Sequence, residues 1–427
     1  MQYLRPPSVL IAILCGLLGA QARAADRAQD WWTRAAVCQT KYYAAKSDLE
    51  AADATALGTH MDATFESYLL LFSKLPIQLR RPARLSLYVF ADQEDYLAVL
   101  ATRFGSNGTG SGAQCITRGQ QIAIATYRGD KSIENMKSSL QHEGFHQVAR
   151  HFFPRLPPWA DEGLAVLFGR GVMVGDTLAL GEYTPRDKVR LMAAIEGNRL
   201  RPFDQFFAVT GKQWGEQLHE GAAGENYLQA WSLVHYCLFA ENRKYEPGFL
   251  AFLVQLNRGI DWRAAFVNAF GTPDFRAMEH KWQNYVQTTS TTDYRETLRR
   301  LDFLAAGMTK LYAQNIHPAS FDELRTKLQE LGFEHTSKLF GQARLMSARR
   351  IEAFEVPGEG GRHKPRFVLV DGRGHAADAR QPHGAARPLS IMTTGLDIEQ
   401  FRATGHVRGR SLEYRLSAEP ASRKKRP

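Results

Sequence analysis

Apolar positions recur every three or four residues along much of the chain, and that rhythm predicts helices. It runs through Leu57, Met61, Phe65, Tyr68, Leu69 and Phe72, so residues 27–75 read as helical. RLSLYVFA (Arg84–Ala91) alternates and is rich in strand formers, which predicts a strand. QEDYLAVLATRF (Gln93–Phe104) returns to helical spacing, and GSNGTGSG (Gly105–Gly112) reads as a loop. That loop lacks the Gly-Lys-Ser/Thr of a phosphate-binding motif. Ala113–Arg118 and Gln120–Tyr127 flank Gly119 and predict a hairpin. A helix follows over about Ser132–Phe152, until Pro154 and Pro157-Pro158 break it, and a second helix starts near Trp159. Residues 186–290 continue as helices joined by polar turns, and 291–356 as a helical extension. After Pro357, Gly/Arg-rich turns alternate with strand-like pieces such as Phe367–Val370 and Leu412–Leu416.

Composition places this pattern in a folded protein. The 427 residues are 44% hydrophobic and 23% charged, with a mean hydropathy of −0.35, and they leave room for about two or three domains. The N-terminus departs from that picture. Arg5 is followed by the apolar run Val9–Ala20, too short to span a bilayer comfortably, and Ala22-Arg23-Ala24 offers a small-x-small cleavage site. Residues 1–24 therefore read as a secretory signal peptide cleaved after Ala24. The mature chain is expected to be periplasmic or secreted, with no transmembrane segment. An oxidising compartment would allow one disulfide among Cys38, Cys115 and Cys237, with Cys38–Cys115 the favoured pair and Cys237 a core residue.

Net charge is +10, but from Pro357 onward 14 Lys and Arg face 7 Asp and Glu, so the excess is concentrated in the tail. An exported chain makes nucleic acid a poor partner. The tail, ending in Arg423-Lys424-Lys425-Arg426, reads as a solvated basic surface or a contact to an acidic envelope polymer or lipid surface.

Candidate chemistry is concentrated in SLQHEGFHQVARHFFPRLPPWADEGLAVLF (Ser139–Phe168). Helical positions i and i+4 share a face, so His142 and His146 can hold one metal ion without backbone strain. Glu143 lies about 100° round the helix, within reach of a water on the metal without ligating it. Two imidazoles leave zinc under-coordinated. The proline turn reverses the chain, which makes Glu162, in the opening turn of the second helix, the natural third ligand, with Gly163 permitting close backbone approach. His142, His146 and Glu162 then form a two-imidazole, one-carboxylate site for one zinc ion per chain.

The order H-E-x-x-H, then Pro157-Pro158-Trp159-Ala160-Asp161-Glu162-Gly163-Leu164-Ala165, resembles the gluzincin zinc metallopeptidases, and among them the bacterial peptidase MA-like group. NYLQAWSLVHYCL (Asn226–Leu238) and AFGTPDFRAMEHKWQNYV (Ala269–Val286) extend the likeness to roughly Lys41–Gln287. The resemblance implies an α+β fold: a mainly helical zincin-like core over 25–290 with a small N-terminal sheet. The helical extension (291–356) and a basic β-like region (357–427) lie beyond it. It implies hydrolysis of peptide or protein substrates through a metal-held water with Glu143 as general base, and Tyr227 as oxyanion donor, with His235 a second choice. The hairpin over Ala113–Tyr127 would offer an edge strand to a substrate. Relatives often carry an acidic residue four positions after the ligand glutamate, where this chain has Val166, so a brace for the imidazoles must come from elsewhere, with Asp161 a candidate. A catalytically silent binding or scaffold protein, or a cell-wall amide hydrolase, are the alternatives.

Overall fold

The computed structural model describes residues 7–75, 84–219, 223–358, 364–370, 389–408 and 411–421, excepting the side chains of 7–20, 218, 219 and 223. Side chains of the apolar run Val9–Ala20 and the whole of Arg423–Arg426 lie outside the described residues. The chain divides into two compact units, residues 1–72 with 78–152 and residues 73–77 with 153–427.

The first unit begins with helix α1 (Pro7–Arg34), strands β1 (Ala36–Gln39) and β2 (Tyr43–Ser47), and helix α2 (Ala51–Phe72). Strand β3 (Leu85–Phe90), helix α3 (Gln93–Val99) with a π-helical turn to Phe104, strands β4 (Ala113–Arg118) and β5 (Gln121–Tyr127), and helix α4 (Ile133–Phe152) complete it. The sheet order is β1-β2-β3-β5-β4. β3 pairs in parallel with both β2 and β5, and its residues are buried on both faces, as expected of a central parallel strand. Among the described residues β4 pairs only with β5, antiparallel, and forms one edge.

Two strands inside 27–75 correct the all-helical expectation for that stretch. Alanine in AVCQ and YAAKS favours helix locally, but Tyr43 and Ala45 are fully buried by alternate placement beside β3, and that pairing prevails over propensity. α1 is tied down beyond the expected cleavage point after Ala24. Trp31 is buried and stacks on Phe90 at 4.1 Å, while Arg27 and Arg34 both ion-pair with the buried Asp95. Helices α2 and α4 meet at Gly144, where a Cβ would stand 2.5 Å from Met61 Cε and 2.7 Å from Tyr68 Oη.

The second unit opens with α5 (Pro158–Gly169) and the hairpin β6 (Val172–Val174) and β7 (Thr177–Ala179). Among the described residues, seven helices follow: α6 (Pro185–Glu196), α7 (Phe203–Phe206), α8 (Gly211–His219), α9 (Ala223–Arg243), α10 (Glu246–Asn257), α11 (Trp262–Phe270) and α12 (Phe275–Thr288). Then come α13 (Tyr294–Ala313), α14 (Phe321–Glu330), the hairpin β8 (Glu334–Ser337) and β9 (Arg344–Ser347), and strands β10 (Arg366–Val370), β11 (Ser390–Thr394), β12 (Glu399–Arg408) and β13 (Ser411–Pro420). Strands β10 to β13 form a four-stranded antiparallel sheet in sequence order. Leu301, Leu304 and Leu311 of α13 share a core with Phe367, Ile391, Phe401 and Leu412 of that sheet. Residues 291–356 are therefore more than a helical extension. They contain a hairpin of their own, and α13 buries the apolar face that the sheet would otherwise leave in water.

The chain is α+β, with helices predominating. Among the described residues no helix is long and apolar enough to cross a membrane.

Candidate metal centre

Helix α4 carries three of the candidate residues because its sequence satisfies two demands at once. Leu140, Gly144, Phe145 and Val148 are buried against the rest of the first unit, which fixes the helix rotation. His142 and His146, one turn apart, then project together. Their Nε2 atoms lie 3.1 Å apart, with ring planes at 79°. Two imidazole nitrogens at about 2.0–2.1 Å from one tetrahedral ion stand about 3.3–3.4 Å apart, so the pair already has nearly the spacing that zinc requires. His146 is buried and His142 half-buried.

Glu143 turns toward the edge of the sheet, where Cys115 N of β4 donates to its Oε2 at 2.7 Å. The carbonyl of the same residue is also held from α4: Arg150 Nη1 donates to Cys115 O at 2.7 Å, to Cys115 Sγ at 2.9 Å and to Thr117 Oγ1 at 3.2 Å. The expected edge strand exists, but at Cys115 both backbone groups are engaged. A substrate strand adding there must displace Glu143 or Arg150. Sequence reading missed this clamp, although the spacing His142, His146, Arg150 repeats every four residues and so places Arg150 near the histidine face.

Glu162 is the fifth residue of α5, at the start of its second turn rather than in its first, where Asp161 sits. Its helix is seated by two neighbours in sequence. Trp159 is buried among Phe207, Phe249 and Phe252, and a Cβ on Gly163 would stand 2.6 Å from Ala230 O of α9. The close approach expected of Gly163 is thus real, and α9 is what approaches. Among the described residues, His142, His146 and Glu162 form a group whose ligand-type atoms all lie within 4.8 Å of one another.

Comparison with known proteins adds nothing to this geometry. No family model and no curated protein matches the chain.

The remaining candidates fall into place as follows. Tyr227 on α9 is half-buried and meets Trp214 edge-on, ring centroids 5.5 Å apart. His235, the second choice for a donor, is a core histidine. Its Nε2 lies 3.1 Å from Gly181 O and its Nδ1 2.9 Å from Tyr285 Oη, and burial pushes its pKa down to about 4. A neutral ring with both nitrogens engaged has no hydrogen bond to offer a substrate. The expected Cys38–Cys115 disulfide is not formed among the described residues: Cys38 Sγ lies 3.1 Å from Thr55 Oγ1, and Cys115 Sγ accepts from Arg150 Nη1 at 2.9 Å. Cys237 is buried, and burial drives its thiol pKa up, in keeping with a core role. Val166 is half-buried on α5, so no carboxylate reaches the histidines from that position.

Proposed function

We propose that this chain is an exported zinc-dependent peptidase with a zincin-like core, in which His142, His146 and Glu162 hold the metal. The observation that carries the reading is the convergence of those three side chains, two imidazoles and one carboxylate. That donor set suits zinc and leaves a fourth position open, and the 3.1 Å Nε2 separation fits a shared tetrahedral ion. The likeness of the His142–Ala165 segment to the gluzincin metallopeptidases supports the same conclusion. Zinc held by these residues would supply Lewis acidity and would make a water in the site acidic enough to be a nucleophile near neutral pH.

The chain's own residues do the rest. Glu143 takes a proton from the attacking water and passes it to the leaving amine nitrogen. Its bond from Cys115 N fixes the carboxylate's starting position beside β4. Tyr227 is the proposed donor to the oxyanion. Because Val166 provides no carboxylate, Asp161, the residue before Glu162, is the proposed brace for the ligands. The same valine favours a second reading, a zinc-holding scaffold or binding protein that hydrolyses nothing.

Metal analysis of the purified chain, with hydrolysis of unstructured peptides in the presence and absence of chelator, tests both. Glu143→Gln is expected to keep stoichiometric zinc and lose turnover, and His146→Ala to lose both. Wild-type protein with no zinc would overturn the site. Zinc without turnover across a broad peptide library would leave the scaffold reading.

A further inference from the structure

Arg150 is exposed, yet its position is fixed. Every hydrogen bond it makes to a described residue runs through Nη1, to Cys115 O, Cys115 Sγ and Thr117 Oγ1. Three acceptors on one strand hold one corner of the guanidinium. The opposite edge, formed by Nε–H and Nη2–H, is the edge that pairs side-on with a carboxylate through two parallel hydrogen bonds. An arginine that only stapled α4 to β4 could use any of its donors. Here the contacts use one nitrogen of an exposed side chain, and the bidentate edge makes none to a described residue.

Its location gives that edge a purpose. Arg150 follows His146 by one helical turn and His142 by two, about 6 and 12 Å along the axis. An extended peptide advances about 3.4 Å per residue, so a carboxylate within about two residues of a bond held at the histidines can reach it. Pre-organisation matters as well. The staple has already cost the arginine much of its side-chain freedom, so a carboxylate binds to a fork that needs little further ordering.

We propose that Arg150 is a substrate-selecting residue that binds a carboxylate of the peptide near the scissile bond, making this site selective for acidic or C-terminal peptide segments. The inference rests on the peptidase reading for its substrate but not for its test, which measures binding separately from turnover.

Peptide affinity is measured by calorimetry on zinc-loaded full-length Glu143→Gln protein, which cannot turn over and keeps an amide oxygen for Cys115 N–H. One pair of peptides differs only in a free or amidated C-terminus. A second, amidated pair differs in Asp or Asn at one internal position. The carboxylate form of at least one pair is expected to bind roughly tenfold tighter, the scale of a charge-assisted hydrogen-bonded pair. Which pair discriminates says whether the α-carboxylate or the side chain is the ligand. Arg150→Lys, added to the same background, retains a donor for Cys115 O but lacks the two-pronged edge. It is expected to melt as the parent does, bind the neutral peptides unchanged and lose most of the preference. Equal affinity within both pairs, or a preference that survives in Arg150→Lys, overturns the proposal. Wild-type turnover indifferent to carboxylates would leave the peptidase reading standing while removing this one. Carboxylate-selective binding with no turnover would do the reverse.

Discussion

Replacing Gly163 with alanine sets a Cβ 2.6 Å from Ala230 O and 2.9 Å from Ala230 C. Both are backbone atoms of α9, so no side-chain rotation relieves the overlap, and α5 and α9 must separate by several tenths of an ångström. Overpacking of this kind costs about 1–3 kcal/mol, and the absence of a flexible partner puts this site at the upper end. Against it stands the helix preference of alanine over glycine, about 1 kcal/mol. The net expectation is a loss of about 2 kcal/mol, equivalent to about 4–8 °C in Tm for a unit of this size. Gly215, in the middle of α8, provides the control: its Cβ meets nothing within 4 Å, so Gly215→Ala keeps only the propensity gain and should stabilise by up to about 1 kcal/mol. Urea titrations and thermal melts followed by circular dichroism read both, with an unchanged m-value expected for each. Because Glu162 adjoins that position, the proposed zinc site predicts that Gly163→Ala retains less zinc on dialysis and that Gly215→Ala retains as much as the wild type. The same sign of stability change for the two variants would refute the close-packing account of Gly163.

Trp159→Ala should cost about 3–5 kcal/mol by removing a buried indole from the Phe207, Phe249 and Phe252 cluster, measurable as a fall in the denaturation midpoint. The Glu182 and Glu399 carboxyls are each pushed up to about 7 by burial. The folded state then holds those protons more tightly than the unfolded chain, so their stabilising contribution is full below about 4.5 and is lost as pH rises through about 7. Glu182→Gln should flatten the stability curve across that window and raise the melting temperature at pH 8, and an unchanged slope would show that Glu182 does not titrate there. Deleting residues 1–24 should leave the melting temperature of the first unit unchanged, whereas a chain starting after Ala35 should lose it. The second deletion removes Trp31 from Phe90 and both guanidinium partners of Asp95.

The parts of this protein legible in its sequence are those in which chemistry and local periodicity coincide. The shared face of His142 and His146 and the end of α4 could be read because one helical period serves the buried stripe and the candidate ligand pair alike, and Pro154 with the Pro157-Pro158 pair marks where α4 must end. Gly163 could be read because only close approach makes glycine useful in mid-helix. β1 and β2 could not, because four or five residues of alanine-rich strand carry no period of their own and form only when β3 supplies their partner. The sharing of one core by α13 and the last sheet was hidden for a similar reason: the contact joins residues a hundred positions apart, and each segment alone looks complete.

Arg150 lay between these cases. Its spacing from His142 and His146 was visible, but an arginine at that spacing has no fixed meaning until a partner is known. β4 supplies that partner, and it does so with the backbone of the residue whose N–H holds Glu143. One residue of an edge strand thus ties together the candidate proton acceptor and a cation one turn beyond the histidines. A peptide that approached β4 in the ordinary way, by strand addition, would compete with both side chains for Cys115. A peptide carrying its own carboxylate can instead satisfy Arg150 without breaking the staple, because the two use opposite edges of the guanidinium. It follows that neutral peptides should bind more weakly beside Arg150 even where every other contact is kept. Raising ionic strength should erode the binding of carboxylate peptides faster than that of their amides, since only the former depend on an exposed charge pair. A salt dependence identical for the two would mean that the edge left open by the staple takes no charge at all.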